Sequence, residues 1–435
     1  MVNFITRKAF SLLLTLLLAS LLVFFFLEIA PGNIAINSLG NTITPEQEAS
    51  FNAQNGLDEP ATTRYIRWLI GSDGAGQSAV GKPLTRLYDP NNRQYSWWAV
   101  DTDGTLYQNY TQDGETMIRV EYQPDGSLIE KPMGPEVWKT DADGFPIYWG
   151  VTREGQAAMW VKGEKLESWV LTKAAWKNTA GAPRKYIPLQ KGLLRGDPGV
   201  SFFTGRPVIE TLLTRIKNTL LLGGIAFAVV MPLALALGML AGLNEGTWID
   251  RFLSTTSLLA TGTPEFVSGI MLILIFALWL DWLPGAVVIT NDNSLFEQPS
   301  MLVLPVMTLT LIELGYVLRI TRTSMVEVMR TNYIRTAQLK GLSRWQIVFK
   351  HAFKNAMMAP ITIIIQHVNW LIGGIVVVES VFGYPGLGSY VREAALFKDV
   401  FAVEAAAMVF ILISVFTQLF ADIIYTYLNP RIRYQ

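Results

Sequence analysis

Six segments of this chain are long and apolar enough to cross a membrane as helices, and this feature restricts its fold more than any other. Lipid offers the backbone no hydrogen-bond partners, so a spanning helix of about 20 predominantly apolar residues is the natural solution. A signal peptide is the alternative for the first segment, but its apolar run is long for one and no A-x-A cleavage site follows it. The predicted spans are 9–30, 218–243, 252–280, 301–320, 359–378 and 401–427.

Composition excludes several classes of protein. Hydrophobic residues make up 51% of the 435 residues and charged residues 16%, which is too apolar for a soluble protein of this size. Lys plus Arg and Asp plus Glu are 35 each, so no net charge points to nucleic acid as a partner. The absence of cysteine excludes disulfides, thiolate metal sites and cysteine catalysis.

Catalytic motifs are also missing from the sequence. It contains no G-x-x-x-x-G-K-[ST] phosphate-binding loop, and its two histidines show no metal-binding or nucleophile spacing. We therefore expect that this chain is not an enzyme, has no cofactor or metal of its own, and does not hydrolyse ATP.

The distribution of basic residues predicts the orientation, because cytoplasmic loops of membrane proteins carry an excess of Lys and Arg. The loop 319–354 has eight basic residues and one acidic residue, whereas the loop 281–300 has three acidic residues and no basic one. The prediction is a multi-pass protein of the bacterial cytoplasmic (inner) membrane with a cytoplasmic loop at 319–354, both termini cytoplasmic, and region 31–214 extracytoplasmic. The many charges of region 31–214 do not oppose this, since long domains translocate regardless of charge.

The region between the first two spans has the composition of a soluble domain and the pattern of a β-sheet. Asp-Gly pairs are strong signals of hairpin turns, and four begin at Asp103, Asp113, Asp125 and Asp143. Alternation near the third pair predicts a buried face with Ile118 and Val120 and a wet face with Arg119. We predict a small antiparallel sheet over about 87–171.

Aromatic residues are frequent in this predicted sheet. They could form a stacking or docking surface, since Trp and Tyr are enriched in such contacts, or the core of a domain without disulfides. The core interpretation is favoured. The residues are Tyr95, Trp97, Trp98, Tyr107, Tyr110, Tyr122, Trp138, Tyr148, Trp149, Trp160 and Trp169.

Two short helices with a break are predicted in the basic loop, over 325–360. Gly341 suits the C-terminal end of the first helix, where a left-handed backbone is needed. Ser343 and Gln346 form an S-x-x-Q capping box that starts the second helix. Such a helix pair projects from the membrane as a lever with an exposed tip.

This loop resembles the cytoplasmic signature of ABC importer permeases, E-A-A followed by three residues and Gly. Residues 335–337 and Gly341 occupy those positions, although the Glu and the first Ala are replaced, as in the dipeptide and oligopeptide (OppB/DppB-like) permeases that this stretch looks most like. The similarity covers nearly everything except about 71–191. Other segments that resemble this branch are 30–32, 56–69, 194–218, 373–388 and 429–431.

The resemblance implies an all-α polytopic membrane protein with six transmembrane helices of the type I ABC importer fold, plus a small β-rich extracytoplasmic domain inserted between helices 1 and 2. The implied division of the chain is a first transmembrane helix at 1–30, an extracytoplasmic region at 31–214 with the insert at about 71–191, and a permease core at 215–435 with the coupling loop at about 325–358.

The resemblance also implies function and partners. The chain would be a permease subunit that forms half of the pathway for a peptide-like solute. Its partners would be a second homologous permease, two ATP-binding subunits that bind ATP and Mg, an extracytoplasmic solute-binding protein and the lipid membrane. The residues expected to contact the ATPase are Tyr333, Arg335, Thr336, Ala337, Lys340, Gly341, Leu342, Ser343 and Trp345.

Some residues within the spans are unusual for lipid. Ionisable residues there are costly and often mark a pathway, so Glu265 and Glu313 are pathway candidates, with bonds to neighbouring helices as an equal alternative. Glu379 and Asp422, near span ends, are expected to be interfacial, and Pro264 to kink or start its helix. Close helix approach is expected at Gly223, Gly224, Gly238, Gly242, Gly373 and Gly374.

Other functions are less consistent with the sequence. A secondary transporter usually shows two repeated halves, and no internal repeat is evident. A membrane-anchored binding or sensor protein would need only one or two spans. Within the importer interpretation the solute stays open, with an oligosaccharide or a nickel complex as alternatives to a peptide. The insert is expected to dock the binding protein or to act as a lid.

Overall fold

A computed structural model describes residues 2–89, 94–171, 175–288 and 298–428. Predictions on Asp292, Glu297 and the C-terminal 429–435 lie outside the described residues, as do the side chains of Arg7, Lys8 and Asp422. The helices are α1 Val2–Ile29, α2 Ile34–Leu39, α3 Pro45–Asn55, α4 Ala61–Ile70, α5 Asp73–Val80, α6 Val208–Leu243, α7 Trp248–Gly262, α8 Glu265–Leu272, α9 Ser300–Met329, α10 Asn332–Leu339, α11 Arg344–Gln346, α12 Phe353–Ala356, α13 Met358–Phe382, α14 Leu387–Leu396 and α15 Val400–Leu428.

Strands are confined to the region between α5 and α6. They are β1 Leu84–Asp89, β2 Gln94–Val100, β3 Leu106–Gln112, β4 Thr116–Tyr122, β5 Leu128–Pro132, β6 Lys139–Thr140, β7 Pro146–Val151, β8 Ala157–Val161, β9 Glu167–Leu171, β10 Trp176–Ala180 and β11 Lys185–Ile187. Short 3₁₀ helices occur at Pro135–Val137 and Leu193–Arg195, and π-helices at Ile273–Trp279 and Ile347–Ala352.

The chain divides into two compact units. The first comprises Met1–Leu16, Leu213–Glu393 and Ala406–Gln435, and the second comprises Leu17–Leu212 and Ala394–Ala405. The first is helical in its described residues, whereas the second contains all the described strands.

Four helices of the described chain are long and apolar enough to cross a membrane, and two bent helix pairs bring the number to six if each pair is one span. The four are Phe10–Ile29, Val208–Leu243, Ser300–Met329 and Val400–Ala421. The bent pairs are Trp248–Gly262 with Glu265–Trp279, and Met358–Val368 with Gly373–Phe382. The observed range of four to six spans therefore includes the predicted number.

The predicted third span is not one continuous helix. The helices on either side of Thr263 and Pro264 are bent by 108°. Pro264 has no backbone N–H and disfavours helical geometry in the residue before it, and Thr263 accordingly has an extended backbone with φ −95° and ψ 127°. The prediction that Pro264 starts a helix is confirmed, because α8 begins at the next residue.

Glycines allow α6 to approach α9 closely in the first unit. A Cβ on Gly238 would lie 2.6 Å from the Cβ of Thr321, and one on Gly242 would lie 2.7 Å from the Cβ of Met325. Either distance is too short for real atoms, so alanine at these positions would push the helices apart. Within the described chain, a Cβ on Gly224 or Gly373 would meet no atom within 4 Å, so these two glycines do not lie at a close contact between its own helices.

Antiparallel sheets form the β-rich part of the second unit. A five-stranded sheet has the order β1-β2-β3-β4-β5, a four-stranded sheet has the order β11-β8-β7-β6, and β9 pairs with β10. All four predicted Asp-Gly turns are confirmed: each joins consecutive strands, and each glycine has positive φ, from 70° to 86°. The predicted range 87–171 was too short, because β1 begins at Leu84 and two further strands, β10 and β11, extend to Ile187.

Aromatic side chains make up much of the core of these sheets, as the favoured interpretation predicted. Trp97 and Tyr107 of the five-stranded sheet cluster with Val151 and Ala157 of the four-stranded sheet. The predicted wet face of β4 was wrong, because Met117 on that face is fully buried. It packs on Ala158 and Trp160 of the second sheet, so this face lies inside the domain.

The two ends of the β-rich region meet in space. The backbone N–H groups of Ser72 and Asp73 both donate to the carbonyl of Gln190, at 2.9 and 3.3 Å, and the N–H of Gln190 donates to the hydroxyl of Ser72 at 3.0 Å. The side chain of Arg195 also bonds to Asp73 and to the carbonyl of Ile70. Adjacent ends are what an inserted domain requires, because the chain must leave and re-enter the host at nearly one point.

Candidate functional site

A helical hairpin after α9 forms the candidate site, and its local structure follows the sequence closely. Helix α10 ends at Leu339, and Gly341 then has φ +74°, the left-handed geometry that favours glycine. Ser343 and Gln346 form both bonds of a capping box, with N–H to side-chain distances of 3.2 and 3.3 Å. The predicted helix, break and restart are therefore confirmed.

This hairpin, residues 332–357, is called the coupling segment below. A buried apolar cluster fixes it to the end of α9: Ile334 and Ala337 of α10 pack with Met325 of α9 and with Ile347 and Ala352 beyond the turn. Because these side chains belong to both arms and to the helix that carries them, the segment is held as a rigid body. A π-helical stretch at Ile347–Ala352 continues the second arm.

The opposite side of the coupling segment exposes large apolar side chains. Leu339 is 82% exposed, Trp345 69% and Phe349 51%, with Leu342 beside them at 37%. The rings of Trp345 and Phe349 stack with their centroids 5.5 Å apart and an interplanar angle of 14°. An exposed, ordered apolar surface of this kind on a rigid mount is typical of a protein–protein contact.

Charge surrounds this apolar surface. The basic side chains of the segment are exposed around it, and the described segment contains no Asp or Glu. Tyr333 is held at the base by a hydrogen bond of 2.9 Å from the side chain of Asn355 to its hydroxyl. The surface would therefore suit an apolar groove with an acidic border. The exposed basic residues are Arg335, Lys340, Arg344, Lys350 and Lys354.

Eight of the nine residues predicted to contact the ATPase are exposed. Ala337 is the exception: it is 6% exposed and packs inside the segment, so it holds the segment in place instead of lining its outer face. Sequence reasoning missed Phe349, which lies beyond the predicted contact 333–345, and did not single out Leu339 within it. The spacing of four residues between Trp345 and Phe349 on one helical face was the available signal.

The two pathway candidates occupy different environments in the first unit. Glu313 of α9 is almost completely buried, and its carboxylate lies 2.7 Å from Nδ1 of His367 on α13. Tyr316 is also close to His367, with ring centroids 5.0 Å apart. Glu265, the first residue of α8, is only partly buried. The two alternatives for these acids were a place in the pathway and a bond to a neighbouring helix. Glu313 makes a bond to a neighbouring helix.

Glu379 was predicted to be interfacial, and this was wrong. The side chain is fully buried and accepts hydrogen bonds from the Thr219 hydroxyl at 2.6 Å and from the N–H groups of Gly388 and Ser389 at 2.7 and 3.1 Å. These N–H groups belong to the first turn of α14, so the carboxylate caps that helix. The chain reverses after α13, and only this reversal brings the groups together.

Two family models match the chain on either side of the β-rich region. Residues 234–434 match the binding-protein-dependent transport system inner membrane component, and residues 1–82 match the N-terminal part of the corresponding membrane component. The described strands, from Leu84 to Ile187, all lie in the unmatched stretch between them.

Several curated relatives share this core. The oligopeptide transport system permease protein OppB of Haemophilus influenzae is 34% identical over 252 residues, which are 58% of this chain and 80% of the relative. The chain belongs to the family of binding-protein-dependent transport system inner membrane components. It is a permease subunit of an ABC importer.

Other relatives are similar to this permease over a comparable length. The oligopeptide transport system permease protein AppB of Bacillus subtilis is 32% identical over 253 residues, 58% of this chain and 80% of the relative. The dipeptide transport system permease protein DppB of Alkalihalophilus pseudofirmus is 29% identical over 270 residues, 58% of this chain and 81% of the relative. Among solved structures, a bacterial alginate ABC transporter aligns with 50% of this chain and 80% of its own at 16% identity and a TM-score of 0.39.

Metal-binding geometry is not found in the described part of the permease. No group of three or more His, Cys, Asp or Glu side chains there is arranged to hold a metal ion.

Proposed function

We propose that this permease forms half of the translocation pathway for a peptide-like solute delivered by an extracytoplasmic solute-binding protein. A second homologous permease completes the pathway, and two ATPase subunits that bind ATP and Mg supply the energy. Three observations support this proposal: the family is named as dependent on a binding protein, the relatives described above are named for oligopeptides and dipeptides, and the coupling segment exposes an ordered apolar surface.

The observation that carries the proposal is the exposed apolar surface on the rigid coupling segment. Leu339, Leu342, Trp345 and Phe349 would enter a groove of an ATPase subunit, where burial of large apolar side chains supplies most of the contact free energy. The buried cluster under Ile334 would then transmit a displacement of the ATPase directly to α9. A displacement transmitted in this way would switch the two permease halves between their two states as rigid bodies.

Within the pathway, we propose distinct roles for the two acidic candidates. Glu265 starts α8 at the 108° break and stays partly exposed, so it is placed to meet a polar or cationic group of the solute. Glu313 would act through its bond to His367, by fixing α9 against α13 during the switch. Ionisable groups in spans are costly in lipid, which favours a function for both.

For the orientation, we propose that the coupling segment and both termini are cytoplasmic and that the β-rich region is extracytoplasmic. The excess of Lys and Arg in the loop that contains the coupling segment supports this. The β-rich region would be an insert at about 71–191 that docks the binding protein or covers the outer mouth. Deletion of this insert, with the adjacent ends rejoined, tests its role: unchanged uptake and unchanged affinity for the binding protein would exclude both functions.

The direct test of the importer complex is purification of the tagged permease from its host in mild detergent, followed by mass spectrometry. We expect a second permease, ATPase subunits and a solute-binding protein, whose bound molecule identifies the solute. Reconstitution of this complex into liposomes should give peptide uptake that depends on ATP. Uptake by the permease alone, without ATP, would instead establish a secondary transporter, and a bound oligosaccharide or nickel complex would overturn the peptide assignment.

A further inference from the structure

A polar cleft opens between α7 and α9 in the first unit, and neither the coupling segment nor the pathway candidates line it. It has a volume of about 630 Å³. Three arginines and several hydroxyl groups face it, an unusual concentration of hydrogen-bond donors for two helices that belong to membrane spans. The lining residues are Asp250, Arg251, Ser254, Thr255, Ser257, Leu258, Arg319, Arg322 and Thr323.

The charges of this cleft do not balance. Asp250 is buried, and both of its carboxylate oxygens accept hydrogen bonds of 2.8 Å from Arg322, with a further bond of 2.9 Å from the N–H of Gly246. This pairing neutralises Arg322. Arg251 and Arg319 have no carboxylate partner among the described residues, and the guanidinium of Arg319 makes only a long contact of 3.4 Å with the hydroxyl of Thr261. Two positive charges are therefore available to an anion.

The position of the cleft limits what that anion can be. The lining residues extend from Arg251, three residues into α7, to Arg319, ten residues before the end of α9, so the cleft lies roughly 5–15 Å from the helix ends. These two ends are joined by an ion pair of 2.8 Å between Glu245 and Arg330. In the proposed orientation these helix ends face the cytoplasm, which would place the cleft near the depth of the lipid phosphates.

An apolar ridge adjoins the cleft on α7. Trp248, Phe252 and Leu259 are each more than half exposed, and their spacing of four and seven residues places them on one face of the helix, next to the face that carries Arg251. A soluble inorganic anion has no apolar part that could contact such a ridge. A ligand with a negatively charged head and hydrocarbon chains would satisfy the arginines and cover the ridge at the same time.

We propose that this cleft binds the headgroup of an anionic phospholipid, with its phosphate between Arg251 and Arg319 and its acyl chains along the ridge of α7. The hydroxyl of Thr255 supplies an additional donor to the phosphate or headgroup oxygens, whereas those of Ser254 and Thr323 already donate to Asp250 and to the carbonyl of Arg319. Basic pockets between membrane helices are a general means of holding such lipids. The bound lipid would brace α7 against α9, the helix that carries the coupling segment.

Native mass spectrometry of the purified importer complex, supplemented with phosphatidylglycerol or phosphatidylcholine, tests this. The wild type is expected to retain phosphatidylglycerol selectively, and the double variant Arg251→Gln/Arg319→Gln to bind it about 30-fold more weakly, since each basic side chain near an anionic lipid contributes a factor of about five. The matched control Arg153→Gln/Arg184→Gln, which removes two exposed charges from the β-rich region, should bind as the wild type does.

A second variant separates charge from folding. Arg251→Lys/Arg319→Lys keeps both charges and should keep most of the phosphatidylglycerol binding. Equal retention of the two lipids by the wild type, or undiminished binding in the Gln variant, would overturn the proposal. Displacement of the lipid by millimolar inorganic phosphate would show a site for free anions instead. Loss of acidic-peptide uptake in the Gln variant without any change in bound lipid would assign the cleft to the solute pathway.

Discussion

Aromatic side chains serve opposite purposes in the β-rich region and in the coupling segment. In the β-rich region Trp97, Tyr107 and Trp160 are buried between two sheets, where they form the core. In the coupling segment Trp345 and Phe349 stack on each other in the open, while small and aliphatic residues fill the interior. A domain without disulfides uses its largest side chains for its own stability, whereas the coupling segment leaves two of them exposed, where the proposed contact with the ATPase would bury them.

This difference has a physical basis in what each region can bury. Two stacked sheets enclose a volume that suits large rings. The arms of the coupling segment come too close together for this, so that Ala337, Ala352 and Ala356 occupy the contact and the rings are left outside. An exposed aromatic residue therefore indicates a contact with a partner only where the local packing leaves no space to bury it.

The largest expected effect is at Trp160. Trp160→Ala should lower the free energy of unfolding of the β-rich region by about 3–5 kcal/mol, because it removes a buried aromatic side chain and leaves a cavity next to Met117. Hydrogen exchange of the full-length permease in detergent, at increasing urea, measures this. Phe145→Ala, which removes an exposed aromatic side chain from a turn, is the control and should change stability by less than about 0.5 kcal/mol. An equal loss in both variants would show that Trp160 is not part of the core.

The next effect tests the other half of the comparison. Trp345→Ala should weaken binding of the ATPase subunits by about 2 kcal/mol, which is about 30-fold, and leave the stability of the permease unchanged. Titration of labelled ATPase onto the permease in lipid nanodiscs measures the affinity. Trp279→Ala is the matched control, since Trp279 is equally exposed at the far end of another helix. If the control weakens binding as much as Trp345→Ala does, the coupling segment is not the docking surface.

A smaller effect is expected at the turn of the coupling segment. Gly341→Asp should reduce the solute transported per ATP hydrolysed by about tenfold, because a left-handed backbone costs a side-chain residue about 1–2 kcal/mol and the new carboxylate would point outward, with no atom within 4 Å of its Cβ. Gly163→Asp is the matched control, with φ +82° and an equally open position in the β-rich region. Parallel assays of uptake and ATPase activity measure the ratio, and an unchanged ratio would contradict coupling through this turn.

The smallest effect concerns charge within the β-rich region. Hydrogen bonds from Arg119 and Lys82 hold the pKa of Asp101 well below its usual range. A depressed pKa in the folded state means that the ionised carboxylate stabilises the fold above the unfolded pKa of about 4, and that this stabilisation is lost as the pH falls toward the folded value. Asp101→Asn should therefore cost about 1 kcal/mol at pH 7.

That cost should shrink as the pH is lowered from 7 to 3, when stability is followed by urea unfolding at each pH. A cost that is independent of pH would mean that Asp101 acts through its shape and its hydrogen bond to Thr102, not through its charge.

Much of the candidate site could be predicted from the sequence. Gly341 and the Ser343–Gln346 capping box depend on neighbours only a few residues away, so their geometry is encoded locally, and the same holds for the four Asp-Gly turns. The inward position of Ala337 could not be predicted from the signature motif, because it depends on Ile347 and Ala352 in the other arm.

Errors arose where distant segments decide the environment of a residue. The face of β4 that carries Arg119 was predicted to be wet, but the second sheet covers it at Met117. Glu379 was assigned to the membrane interface, but it meets Thr219 and the start of α14 after a chain reversal. Neither contact has a signal in the local pattern of hydrophobic and polar residues.

The sequence by itself determined the apolar segments, the family, the hairpin turns and the break in the coupling loop, since apolar length, turn residues and capping residues act over a few positions. It did not determine the 108° bend that divides the third predicted span. Only the tertiary structure decided which glycines allow close contact between helices and that Glu313 bonds to His367. It also decided that Arg251 and Arg319 face one cleft, in which Asp250 pairs with Arg322. These are pairings between residues far apart in the chain. A pairing of that kind depends on the packing of whole helices, and packing is a property of the folded molecule.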